Sequence, residues 1–182
     1  MTKSNKKETP KVIDDLRGTL KKEQDKLINA KDSAYSRPKK PKGAILKKTS
    51  LTSNMCIALL WIYKFYRYND KAIMGQYYSR KEFFSDLLVS SSEYKNILRN
   101  YNYLKYWGLI EPMPTHPTKI IYKKGYWGLT ENGVAFCQKE IAMPKYALVY
   151  NDFPYEHITS SYIMIDEILK DENLDYNELI KI

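Results

Sequence analysis

The stretch YWGLTENGVAF, Tyr126 to Phe136, decides how the chain is read. Tyr126 and Gly128 alternate with Trp127 and Leu129, the period-2 pattern of a short strand. Thr130 then offers a side-chain oxygen to a helix N-terminus, Glu131 puts an acid in the first turn, and Val134 and Phe136 begin an apolar face. A strand that hands over to a helix this abruptly closes a larger unit. The elements before it indicate which.

Working back, Leu109 to Met113 reads as a strand, followed by the turn PTHPT, a strand KIIYKK and a turn at Gly125. Gly108 stands where a left-handed C-terminal helix cap belongs. The helix ahead of it opens with a capping box, Ser90 and Glu93, and runs to Trp107. A second capping box, Ser79 and Glu82, opens a helix with Phe83, Phe84, Leu87 and Leu88 on one face. Before that, a short extended piece lies at Gln76–Tyr78. Ser53 caps a helix from Asn54 to Tyr68 whose apolar residues (Met55, Ile57, Leu59, Leu60, Trp61, Ile62, Phe65) lie all round it, which marks it for burial. Working forward, a helix is expected over Glu131–Ile141, an extended segment over Tyr146–Tyr150, and an amphipathic acidic helix after Ser160.

This order of elements resembles the winged helix-turn-helix superfamily over about residues 54–141. LLVSSSEYKNILRNYNYLKYWGLIEP looks like the second helix, turn, recognition helix and following strand. GLIE looks like the entry into the strand after the recognition helix, and YWGLTENGVAF looks like the superfamily's LT-x-x-G return from the wing into the next helix. The resemblance implies a mainly α fold with a small antiparallel β-wing. Residues 1–48 would form a basic, disordered or conditionally helical tail, 49–150 the winged-helix domain, and 151–182 an extension with the acidic helix. The span from Pro112 to Leu129 is long for a two-stranded wing and leaves room for an extra strand.

Charge is unevenly placed along the 182 residues, whose formal net charge is +9. Residues 1–50 hold 15 Lys and Arg against 6 Asp and Glu, and residues 51–124 hold 11 against 5. Residues 125–182 reverse this with 4 against 10. A basic leading part followed by an acidic end suggests an anionic partner met by the first two-thirds. The longest apolar run, Met55 to Tyr63, is far short of the roughly 20 residues that span a bilayer. No hydrophobic signal segment opens the chain, and Cys56 and Cys137 stand alone. A cytoplasmic or nucleoid-associated protein is expected, or a nuclear one in a eukaryote.

In the resembling fold one helix enters the DNA major groove and the wing meets the flanking backbone. At 3.6 residues per turn, Ile97, Tyr101 and Leu104 share one side of the third helix. Ser92, Lys95, Asn96, Arg99, Tyr103 and Tyr106 share the other, with no acid in its centre. Arg can pair with guanine and Asn with adenine, while Lys and Ser hold phosphates. Ser92, Lys95, Asn96, Arg99 and Tyr103 are therefore the candidate readers of double-stranded DNA. Lys119, Lys123 and Lys124 are the candidate wing contacts. Arg37, Lys39, Lys40 and Lys42 in RPKKPK are the candidate tail contacts, an extended Pro-Lys segment that keeps its cations accessible.

Catalysis has no motif: His116 and His157 lack a nucleophile or carboxylate context, and no phosphate loop or HExxH occurs. No metal or cofactor is expected. Two readings follow. One is a sequence-specific DNA-binding regulator, or a replication or partition factor of a phage, virus or other mobile element, since the Lys, Asn, Ile and Tyr bias fits an AT-rich genome. The other is a protein–protein module, a non-catalytic subunit of a larger nucleoprotein machine, in keeping with 17 Tyr and the interface preference of aromatics. The apolar stripe Tyr162, Ile163, Ile165, Ile168 and Leu169 either pairs two copies through residues 160–182 or folds back on the helix Asn54–Tyr68.

Overall fold

The structure is a computed structural model, and it describes residues 42–68, 75–85, 97–115 and 121–181. All of these lie in one compact unit, residues 38–182; the other unit, residues 1–37, falls outside the described residues.

Two halves of the chain meet in the first sheet. β1 (Lys47–Ser50) pairs antiparallel with β6 (Tyr146–Tyr150), which pairs with β7 (Phe153–His157) through the tight turn Asn151–Asp152. β2 (Tyr78–Ser79), β3 (Ile110–Pro114) and β4 (Tyr122–Leu129) form a second sheet in the order β2–β4–β3. β5 (Met143–Pro144) pairs with β8 (Tyr162–Ile163). The mainly α fold with a small wing is thus corrected. Among the described residues the chain is a mixed α+β fold with three antiparallel sheets. The YALVY alternation foretold β6. Nothing in the polar KKTS of β1 did, because its pairing comes from a partner about a hundred residues away.

α1 (Ser53–Tyr68) runs through the core, with Cys56, Ala58, Leu59, Leu60, Ile62 and Tyr66 fully buried. Each large aliphatic side chain removed from water there contributes about 1.5–3 kcal/mol. Its N-terminus is capped by Thr52, whose Oγ1 accepts the Met55 N–H at 3.4 Å, and not by Ser53. α2 (Arg80–Phe83) opens on the Ser79–Glu82 capping box, as expected. The Ser90–Glu93 box lies outside the described residues.

The third helix departs from the expectation of a regular helix to Trp107. Residues 98–100 are turns, and Tyr101–Trp107 is a 3₁₀ helix closed by left-handed Gly108 (φ 63°). α3 spans Glu131–Cys137 and stops short of Ile141, because the backbone turns at Lys139 (φ 61°). The acidic end holds two short helices, α4 (Ile165–Lys170) and α5 (Tyr176–Ile180), separated by a left-handed Asn173. Ile165, Ile168 and Leu169 join the core, and α4 and α5 contact α1. Tyr176 donates to the Cys137 carbonyl at 2.5 Å. The apolar stripe is therefore folded back on the chain's own first helix.

The opening stretch acts as the clasp. Thr130 Oγ1 donates to the Gly108 carbonyl at 2.6 Å and accepts the Gly133 N–H at 3.0 Å, and the Thr130 N–H reaches the Leu109 carbonyl at 3.3 Å. GLI and LTENG are two sides of one buried joint.

Candidate nucleic-acid interface

The β3–β4 hairpin carries two of the expected cations. Its loop end is fastened where Thr115 donates both its N–H and its Oγ1–H to the Ile121 carbonyl, each at 2.7 Å. Pro112 faces Trp127 but Pro114 faces Tyr122, so β4 holds extra residues that bulge out of the ladder. Gly125, with φ 82°, sits in that bulge, so it bends a continuous strand where a turn was expected. Lys123 and Lys124 are exposed there, and Lys123 Nζ lies 3.6 Å from the Tyr126 ring centre, a cation–π contact. No extra strand occurs among the described residues of the interval. Lys119 lies outside them.

Of the expected reading face, Ser92, Lys95 and Asn96 lie outside the described residues, and Arg99 is exposed. The 3₁₀ geometry re-sorts the rest. With three residues per turn, positions i and i+3 eclipse, so Tyr101, Leu104 and Trp107 line up in the core. By the same rule Tyr103 and Tyr106 stack, ring centres 5.3 Å apart and 18° between planes. Tyr106 is buried, which corrects its outward placement, and Tyr103 is half-buried against the core.

What covers that tyrosine pair is the β6–β7 hairpin. Asn151 and Asp152 both have positive φ, the backbone of a two-residue hairpin turn. The Asp152 carboxylate accepts from Lys105 Nζ and Tyr106 OH. A His157 ring nitrogen lies 2.7 Å from the Tyr106 carbonyl, and Trp107 Nε1 donates to the Pro144 carbonyl at 2.6 Å. Partial burial alone would raise the Asp152 carboxyl; the hydrogen bonds from Lys105 and Tyr106 outweigh it and hold it below the ordinary carboxylate range. Burial, and then Asp152, push the Tyr106 hydroxyl up. This latch had no signal in the sequence beyond the Asn-Asp pair.

Lys42 is exposed just ahead of β1; Arg37, Lys39 and Lys40 lie outside the described residues. Lys47, Lys48, Arg80 and Lys81 are further exposed cations that the sequence reading did not single out. Between residues 42 and 129 the described residues hold eleven Lys and Arg and two acids, Glu82 and Glu111. Glu82 accepts the Ser79 N–H at 2.7 Å, and Glu111 accepts the Tyr77 hydroxyl at 2.9 Å. Cys56 and Cys137 are buried, which pushes both thiols up, and His157 serves the backbone contact above. Among the described residues, no three His, Cys, Asp or Glu gather as metal ligands, and no helix is long and apolar enough to cross a membrane. A groove of about 400 Å³ at the acidic end is lined by Lys139, Asp166, Glu167, Lys170 and Tyr176, among others. Comparison with protein-family models, curated proteins and solved structures finds no match for this chain.

Proposed function

We propose that the protein is a non-catalytic nucleic-acid-binding protein that meets double-stranded DNA as a regulator of transcription. The observation that carries this is the charge of residues 42–129, fourteen Lys and Arg against five Asp and Glu; the described residues among them hold eleven of the cations and two of the carboxylates, each of which accepts a hydrogen bond. Only Lys105 among the eleven makes an ion pair with another described residue. Accessible cations of this density release counterions from a phosphate backbone. The kinship of residues 54–141 to winged-helix proteins is part of the proposal. It is supported by the strand order β2–β4–β3, with α1 before β2 and α3 after β4, inside a mixed α+β chain.

Titration of a mixed-sequence duplex at several salt concentrations tests this reading. Binding should weaken with a log–log slope of about −0.9 per phosphate contact. Lys123→Ala with Lys124→Ala should flatten the slope by about two contacts. Absence of duplex binding at low salt would end the proposal.

One observation favours the second reading, a protein–protein module. Ile57, Trp61, Lys64 and Tyr68 share a stripe of α1, and Tyr68 is 63% exposed at its end. Lys64 Nζ lies 5.5 Å from the Trp61 ring centre. Ile57 is buried, Trp61 and Lys64 are half-buried and Tyr68 is exposed, and a partly exposed aromatic-cationic stripe of this kind suits a protein partner. Duplex binding unaffected by Tyr68→Glu, together with loss of a co-purifying partner, would favour it.

A further inference from the structure

The sheet β2–β4–β3 has a second face, of which the proposed function uses only the neighbouring cations Lys123 and Lys124. Tyr78, Trp127, Leu129 and Ile110 point from it into the core. Because alternate residues point oppositely, Tyr126, Gly128 and Glu111 point away. Tyr77, the residue before β2, lies across Gly128. A Cβ built on Gly128 would sit 2.9 Å from both Cδ1 and Cε1 of that ring, so the absent side chain is what lets this edge of the ring approach the strand. The ring is pinned at its far end by the 2.9 Å hydrogen bond from its hydroxyl to Glu111. Burial, then this bond, raise the Tyr77 hydroxyl to about 12, so it stays a donor throughout the physiological range. Tyr77 remains half-buried, with its Cδ1–Cε1 edge beside Gly128.

One register step along, Tyr126 lies opposite Ser79 on the same face, with Lys123 over its ring and Lys124 next in the bulge. The face thus offers two aromatic rings, the first pinned by its hydroxyl beside a carboxylate acceptor and the second flanked by two cations. A phosphate would be repelled from Glu111. A base would not: its ring stacks on tyrosine and its exocyclic amine can donate to the carboxylate. Paired bases inside a duplex present no ring face for this.

We infer that this sheet face binds single-stranded nucleic acid, stacking unpaired bases on Tyr77 and Tyr126 while Lys123 and Lys124 hold the phosphates. The inference rests on the nucleic-acid reading above and names a further substrate class for it. DNA and RNA share the required chemistry and are separate arms of the test.

Fluorescence anisotropy should be measured on the full chain. The probes are a labelled mixed-sequence strand of about twelve nucleotides, within the ~4–16 that single-strand folds take, as DNA and as RNA, and the same DNA as a blunt duplex. Single strands should lose ~5- to 150-fold in affinity with Tyr77→Leu or Tyr126→Leu. Tyr77→Phe, which keeps the ring, should lose little, and duplex affinity should stay the same with Tyr77→Leu and fall far less than single-strand affinity with Tyr126→Leu. Should Tyr77→Leu fail to fold, Tyr126→Leu carries the comparison. Photo-crosslinking of an iodouracil-substituted strand to the unaltered chain provides a check free of mutation, with Tyr77 or Tyr126 as the expected adduct. Duplex binding with no single-strand binding, or single-strand affinity unmoved in folded variants, overturns the stacking face and leaves the proposed function standing. If neither probe binds at low salt, both fall together.

Discussion

Replacing Gly133 with alanine should destabilise the protein although it improves a helix. Gly133 is the third residue of α3, where alanine is favoured over glycine by about 1 kcal/mol. Its backbone has no positive φ to explain the glycine; the reason is space. An added Cβ would lie 2.2 Å from the Leu109 carbonyl oxygen and 2.7 Å from Leu129 Cδ1. Leu129 can turn, but the carbonyl cannot move alone. It is held by the Thr130 N–H at 3.3 Å, while Thr130 Oγ1 grips the next carbonyl, Gly108, at 2.6 Å. Restoring contact therefore means moving α3 off the 3₁₀–β3 junction by roughly 1 Å, overpacking of the kind that costs about 1–3 kcal/mol. It would also stretch two hydrogen bonds of about 0.5–1.5 kcal/mol each. Against the propensity gain, a net loss of about 2–4 kcal/mol follows, or a Tm lower by ~6–15 °C for a unit of this size. Thermal unfolding followed by circular dichroism measures it. Gly108→Ala is the contrast: with φ 63° and nothing within 4 Å, it carries only left-handed strain, about 1–2 kcal/mol. A Gly133→Ala protein as stable as the parent, or stabler, would refute the steric account of the joint.

Thr130→Val keeps the shape of a 4% exposed side chain but leaves the Gly108 carbonyl and Gly133 N–H without their partner. It should cost about 1–3 kcal/mol in urea unfolding, with most of the loss restored by Thr130→Ser. Because the folded-state pKa of Asp152 is depressed, its contribution is present above the unfolded value and lost as pH falls through the folded one. Asp152→Asn should therefore be less stable than the parent at pH 7, and the difference should shrink as acid takes the pH down through the depressed folded-state pKa; a constant difference would remove the Lys105–Tyr106 latch. Burial raises Tyr101 and Tyr176 to about 12, while unfolded tyrosine titrates near ~10. Folded protein then holds the extra protons between these values, so stability should decline from about pH 10 upward, with a late tyrosinate absorbance step coinciding with unfolding. Ile168→Asp, placing a charge at a 5% exposed core position, should abolish cooperative unfolding. A folded variant altered only in sedimentation would mean the stripe faces a second copy.

Much of residues 53–137 was legible because its signals are local. A capping box needs only four residues, and Ser79–Glu82 formed as read. A left-handed cap needs a glycine, and Gly108 supplied it. LTENG needed more. Thr130 announced itself as a cap, yet the demand for glycine at 133 comes from the Leu109 carbonyl, more than twenty positions away. The two words were recognisable together only because the joint requires both.

The misread parts share a cause, which is pairing or packing set by distant residues. The polar β1 is a strand only because β6 is there to receive it. The third helix was placed on a 3.6-residue wheel, but its C-terminal part winds at three per turn. That winding aligns Trp107 with Tyr101 and Leu104 in the core and turns Tyr106 toward Asp152, where a β-hairpin covers it. Of the expected reading face, what remains exposed among the described residues is Arg99. The weight of any nucleic-acid contact by the described residues then shifts to the β3–β4 hairpin. There Lys123 and Lys124 sit beside Tyr126 on a strand whose backbone is fixed by Thr115 at one end and Thr130 at the other. Cations on a braced strand have little freedom left to lose on binding. Replacing Lys123 and Lys124 with alanine should therefore weaken duplex binding, and unchanged binding by a folded double variant would refute this role of the hairpin.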